Sequence, residues 1–183
     1  MAHAPALAAA TSGVNRHLRG ETNEIMLKKK GTIPVNTGDL MFVDAVNGAS
    51  AGGGTASFLA FPAAYCSFNT HAYFEVNFAG VAMSGSLSGV TEEIPVATTG
   101  IFRYPVSTTT GMTCSPGYIV SGASYGAGGA SIFSQKVVVG SAAGTMDEGR
   151  IGYCVRAEGA ATTVDFNLVT RFSGGTKGLW MAS

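Results

Sequence analysis

From residue 31 onward, apolar and polar positions alternate with a period of two, the pattern of strands buried on one face. In 162–169, Val164, Phe166 and Leu168 fall on one face and Asp165 and Asn167 on the other. In 151–155, Ile151, Tyr153 and Val155 alternate with Gly152 and Cys154. Stretches 40–46, 90–96, 101–106, 118–120 and 132–139 are rich in β-formers and bounded by Gly, Pro, Asn or Ser, which predicts further strands. Pro95 and Pro105 lack a donor for a ladder and mark edges, bulges or strand ends. Many short strands between frequent turns predict an all-β fold, a compact barrel or sandwich.

One region departs from this period. Phe58, Phe61, Tyr65 and Phe68 are spaced like one helix face, although Pro62 interrupts it. Residues 70–77 predict one short helix with Thr70 as N-cap and Tyr73, Phe74 and Phe78 packing inward. The stretch near 48–76 therefore reads as a flexible, aromatic-rich insertion. Its aromatics suit a core or a subunit contact better than a ligand box. Phe58, Phe61, Tyr65, Phe68, Tyr73, Phe74 and Phe78 are the candidate oligomer contacts. The Gly-rich pieces 122–129 and 140–144 read as surface loops.

Composition narrows the class. Of 183 residues, 26 are Gly and only 12% are charged, twice and half of ordinary usage respectively. Eleven basic and eleven acidic side chains cancel. A disordered solvating chain, a long-helix protein and a typical nucleic-acid binder all need a different balance. Sparse charge with no net excess favours association, so much of this surface is expected to be covered by partners. The zero also conceals a split. Residues 1–30 hold Arg16, Arg19, Lys28, Lys29 and Lys30 against Glu21 and Glu24, a net +3, and the other 153 residues carry −3. Gly13 and Gly20 break the first thirty residues, which lack a helical period. This reads as an extended basic N-terminal arm, 1–30, on an acidic body, 31–183.

No catalytic constellation emerges. Gly122-Ala123-Ser124-Tyr125-Gly126 matches the nucleophile-elbow pattern, but that chemistry needs a strand-to-helix turn and a later histidine. His3, His17 and His71 all precede Ser124. The histidines are scattered, and Glu92 and Glu93, as neighbours on a strand, point to opposite faces. Neither metal-ligand nor phosphate-loop spacing occurs. Cys66, Cys114 and Cys154 form no CxxC pair and read as small buried thiols in a reducing compartment. The alanine-rich start lacks the basic residues of a signal peptide, and no apolar run is long enough to cross a membrane. No cofactor, metal, nucleic acid or membrane is expected as a partner.

Five short motifs in order suggest a family. They are Gly38-Asp39, Gly80-Val81-Ala82, Val96-Ala97-Thr98-Thr99-Gly100 leading into Ile101-Phe102, Pro116-Gly117-Tyr118-Ile119-Val120, and Ile151-Gly152-Tyr153-Cys154-Val155. Over roughly residues 31–172 the chain resembles the capsid decoration, or cement, proteins of tailed bacteriophages, in particular a small β-rich family long classed as a domain of unknown function. The basic arm and the long 48–76 stretch depart from that pattern. The resemblance implies a non-enzymatic homotrimer on the exterior of an icosahedral head, present in the host cytoplasm during assembly, that ties neighbouring major capsid proteins together. A rigid oligomer makes each added contact effectively intramolecular. Arg16, Arg19, Lys28, Lys29 and Lys30 would then clamp the arm to the capsid. The alternative is a head-fibre or tail-adhesin β-module that binds a host glycan, and a small hydrolase is a third class, disfavoured by histidine placement.

Overall fold

The computed structural model describes residues 16–19, 21–29, 34–44, 55–57, 77–87, 89–107, 112–125, 131–140, 149–170 and 172–173. Strands dominate them. The first half of the chain supplies β1 (Arg16–Arg19), β2 (Glu24–Lys29), β3 (Leu40–Asp44), β4 (Thr55–Ser57), β5 (Phe78–Ala82) and β6 (Glu93–Ala97). The second half supplies β7 (Ile101–Pro105), β8 (Met112–Cys114), β9 (Ile119–Tyr125), β10 (Ser131–Gly140), β11 (Arg150–Cys154), β12 (Glu158–Ala161) and β13 (Thr163–Leu168). The all-β expectation is met.

Two curled sheets result. Strands β2-β4-β3-β5-β6 close into a barrel, in which only β2 and β4 run parallel. The second sheet has the order β1-β7-β13-β11-β9-β10. It curls until Val137 of β10 bridges Val106, just past β7, and the amide of Ser107 donates to the carbonyl of Val137 at 2.8 Å. Strands β8 and β12 form a separate pair.

Period two decides which residues fill each space, except at Ala79 of β5, which the ladder skips between Met41–Gly80 and Phe42–Phe78. Met41, Val43, Ile94 and Val96 pack inside the barrel with Ala79, Ala82 and Val35, and Ile25 and Leu27 of β2 lie against them. The alternate residues Leu40, Phe42, Phe78, Val81 and Ala97 point out of the barrel wall. They meet Phe102, Tyr104, Val120, Val137, Ile151, Val164, Phe166 and Leu168 of the second sheet. One apolar core thus joins both sheets, and the rings of Tyr104 and Phe166 meet within it at a centroid distance of 5.6 Å.

Three expectations need correction. Residues 16–29 do not stand apart as an arm, because β1 pairs with β7 and β2 closes the barrel against β6. Inward Ile25 and Leu27 provide the apolar face that holds β2 there. Phe78 is not a subunit contact but a fully buried core residue on β5. Strand β9 continues through Gly122 to Tyr125, so residues 122–125 of the expected loop are strand, and 126–129 lie outside the described residues. Except for Asn77, the helix expected over 70–77 lies outside the described residues, as do Phe58, Phe61, Tyr65, Phe68, Tyr73 and Phe74.

The two connections between sheets run side by side. The amide of Thr98 donates to the carbonyl of Asn23 at 2.7 Å, and the amide of Asn23 donates to Thr99 Oγ1 at 2.9 Å. Thr99 Oγ1 in turn donates to the carbonyl of Glu21 at 3.2 Å. From the other end of the chain, the buried Thr170 hydroxyl donates to the carbonyl of Thr98 at 3.2 Å. Such mutual bonding satisfies backbone groups that a connection between sheets would otherwise leave exposed.

One polar group in this interior is badly placed. Ser121 of β9 is buried, and its hydroxyl has no hydrogen-bond partner among the described residues. Ser121→Ala is expected to raise stability by about 1 kcal/mol, since a desolvated hydroxyl without a partner carries a cost of that order. A higher urea midpoint at unchanged m-value checks it.

Candidate functional site

The basic residues separate into different environments. Arg16 and Arg19 lie on β1 at the margin of the second sheet, in register with Arg103 and Ile101 of β7. Lys28 is exposed on the barrel wall, directly opposite the exposed Glu93 across the β2–β6 ladder. Lys29 is fully buried, at the third inward position after Ile25 and Leu27, and its ammonium donates to the carbonyl of Leu87. Burial holds its pKa below the ordinary lysine value, and the neighbouring Glu92 charge opposes that shift. Lys29 is therefore not available to clamp another protein. It ties the 83–92 loop to the barrel, helped by its own amide, which donates to the carbonyl of Glu92 at 2.8 Å. Lys30 lies outside the described residues.

The Lys29 shift has a testable sign. The folded state binds this proton less tightly than the unfolded chain does, so charged Lys29 opposes folding at neutral pH. Its cost is relieved as pH rises from the lowered folded pKa towards the unfolded value of 10.5. The Cys154 and Tyr104 shifts have the opposite sign, so a difference curve is needed. Stability of the wild type minus that of Lys29→Met, read from urea midpoints between neutral pH and pH 10.5, is expected to increase with pH. A flat difference would show that Lys29 titrates alike in both states.

Behind this surface is a buried polar joint between the two sheets. The backbone turn before β3 puts the Asp39 carboxylate inside, where Oδ2 accepts from the amide of Asn36 at 2.7 Å. Its Oδ1 accepts from Gln135 Nε2 at 2.8 Å. Gln135 reaches it because β10 bulges: the register passes from Ile132 opposite Ser124 to Val137 opposite Gly122. Tyr104 of β7 donates its hydroxyl to the carbonyl of Gly38, within the same turn. Burial pushes the Tyr104 phenol well above its ordinary range, and the Asp39 charge adds to the effect. A carboxylate so placed is held by hydrogen bonds that each exceed the strength of a neutral one. The arrangement locks β3, β7 and β10 together. The sequence marks Gly38-Asp39 as a motif but gives no sign of Gln135, whose place depends on a bulge and a partner 96 residues away.

The solvent-facing side of the second sheet carries ordered charge. Arg103 and Asp165 sit opposite each other on β7 and β13 and form a bidentate pair at 2.6 and 2.8 Å. Arg16 on β1 is the backbone register partner of Arg103. On β11, Arg150 donates to the Tyr153 hydroxyl at 2.9 Å and its guanidinium lies 5.6 Å from that ring's centre. Among the described residues, the large exposed apolar side chains are Met26 on the barrel wall, Leu87 and Val90 on the loop before β6, and Phe172 after β13. These features are scattered, and no acid, base and nucleophile converge among them. Gly122-Ala123-Ser124-Tyr125-Gly126 begins along β9 and lies on extended strand through Tyr125, without the sharp turn an elbow needs.

The thiols of Cys114 and Cys154 are both buried in the shared core, and Cys114 Sγ donates to the carbonyl of Met112 at 3.9 Å. Burial, then the charge and hydrogen bond of Cys114, push the Cys154 thiol up to about 12. Cys66 lies outside the described residues. No group of three or more His, Cys, Asp or Glu residues suited to a metal ion occurs among the described residues. No protein-family model, curated protein or solved structure matches this chain.

Proposed function

We propose that this chain is a structural virion protein, a decoration or cement protein of a tailed-phage capsid. It binds the outside of the icosahedral head as a homotrimer and ties major capsid proteins together. The observation that carries the reading is where the five motifs of the resemblance fall. Gly38-Asp39 leads into β3 and the polar joint, and Gly80-Val81-Ala82 lies in β5. Val96-Ala97-Thr98-Thr99-Gly100 is the crossing from barrel to second sheet. Pro116-Gly117-Tyr118-Ile119-Val120 turns into β9, and Ile151-Gly152-Tyr153-Cys154-Val155 is β11 and its exit. Each motif occupies a joint or a strand of one continuous architecture. A rigid body with few charges to desolvate suits contacts that bury surface.

In this reading Arg16, Arg19 and Lys28 form the electrostatic contact with the capsid, and Lys29 does not. Purified chain is added to expanded heads that lack it, and occupancy is measured by co-sedimentation and by reconstruction of the particles. At about 0.5 kcal/mol per surface ion pair, a triple Arg16→Ala/Arg19→Ala/Lys28→Ala variant should bind roughly tenfold more weakly at low salt. The difference should shrink as salt is raised. Unchanged affinity of the triple variant would remove the clamp. Failure of the wild type to bind heads, together with retention on a host glycan array, would replace the cement reading with the adhesin one.

A further inference from the structure

Cys114 ends β8 and Cys154 ends β11, two strands that belong to different sheets. The turn that follows Cys114 brings them together. The amide of Tyr118 donates to the carbonyl of Ser115 at 3.0 Å, and the amide of Gly117 donates to the carbonyl of Cys154 at 2.9 Å. The amide of Cys154 returns a bond to the carbonyl of Tyr118 at 2.8 Å. Both side chains then enter the shared core, each 2% exposed. The charge and hydrogen bond of Cys114 act directly on the Cys154 thiol, so the two sulfurs are neighbours in that core, and a bond between them requires closing to about 2.0 Å.

We propose that Cys114 and Cys154 are a modification site, a dithiol that a small-molecule disulfide oxidises to an intramolecular disulfide stapling β8 onto β11. The Cys114 thiolate attacks one sulfur of the reagent and expels one reagent thiol, leaving a mixed disulfide on Cys114. The Cys154 thiol then loses its proton, and its sulfur attacks that of Cys114 and expels the second reagent thiol. The protein gives up two hydrogens and two electrons, and the reagent disulfide is reduced to two thiols. Access comes through β8, whose only ladder among the described residues is with β12. A two-stranded ribbon of this kind has little stability of its own and opens locally. The pair remains a dithiol in reducing surroundings and closes in oxidising ones. The inference rests on the thiol geometry and is independent of the capsid reading.

The three cysteines lie on separate tryptic peptides, Cys114 on 104–136, Cys154 on 151–156 and Cys66 on 31–103. The full-length protein is incubated with oxidised glutathione, alkylated, digested without reductant and mapped by mass spectrometry. The expected product joins peptides 104–136 and 151–156, disappears with dithiothreitol and accompanies a Tm increase of about 10 °C, because the bridge constrains a long loop of the unfolded chain. Cys66→Ala should give the same link and the same shift. A link through Cys66, a glutathione adduct persisting on Cys114 or Cys154, or full alkylation of both thiols after denaturation would each overturn the proposal. Loss of the link in Cys66→Ala would do the same.

Discussion

Gly80→Ala is expected to cost roughly 3–5 kcal/mol, combining left-handed backbone strain with overpacking against a neighbouring strand. Gly80 sits in β5 at φ +144°, a conformation that side chains rarely adopt. An added Cβ would lie 1.9 Å from the carbonyl oxygen of Ala97, 2.9 Å from its carbonyl carbon and 3.0 Å from Val96 Cγ1. The first two are backbone atoms of β6, so relief requires β5 and β6 to separate. Those strands also close the barrel and present Phe78, Val81 and Ala97 to the shared core. The loss is a large fraction of the 5–15 kcal/mol typical of a domain. Urea unfolding should show one transition at a much lower midpoint. A midpoint within error of the wild type would mean that β5 can shift at little cost.

Gly152→Ala should have the second largest effect, on the other sheet and for a different reason. Here the obstacle is proximity alone. Its Cβ would meet the carbonyl oxygen of Asn167 at 2.2 Å and Phe166 Cδ2 at 2.6 Å. Phe166 is fully buried between the sheets and its ring meets Tyr104, so it has little room to rotate away. The expected cost is about 3 kcal/mol, the upper part of the usual overpacking range. Amide exchange should locate it. Protection should fall first along β11 and β13, whereas in Gly80→Ala it should fall first along β5 and β6. If both variants lose protection in the same strands, the two effects are not local to their clashes.

These two glycines also explain how far the sequence could be read. Gly80 and Gly152 stand inside motifs that are recognisable by order, yet what makes them glycine is a strand lying across each, which no local pattern displays. The strands themselves were legible wherever apolar residues alternate over several positions, as in 162–169. They were obscured where small residues do the packing. In β9, Gly122 and Ala123 read as loop, but Ala123 is fully buried in a strand that runs from Ile119 to Tyr125. The N-terminal region misled through its charge. Ile25 and Leu27 already alternate, but the lysine run drew attention to solvent, and Lys29 occupies the next inward position. Phe78 follows Tyr73 and Phe74 as if on the inner face of a short helix, although it opens a strand. The polar joint is the least legible feature, because the carboxylate and the amide that meet there belong to distant strands, joined only by the bulge in β10.

The pairing of β1 with β7 sets the order of assembly at odds with the order of synthesis. A nascent chain exposed as far as Ala97 contains every strand of the closed barrel, β2 to β6. It also contains β1, whose ladder partner begins at Ile101 and whose sheet is not complete until β13 has been made. The barrel can therefore close while the segment that precedes it waits, and the Asp39 carboxylate waits with it for Gln135. Long-range pairing of this kind is slow and leaves strand edges open meanwhile. A segment that leaves the ribosome before the whole barrel is thus among the last to find its place.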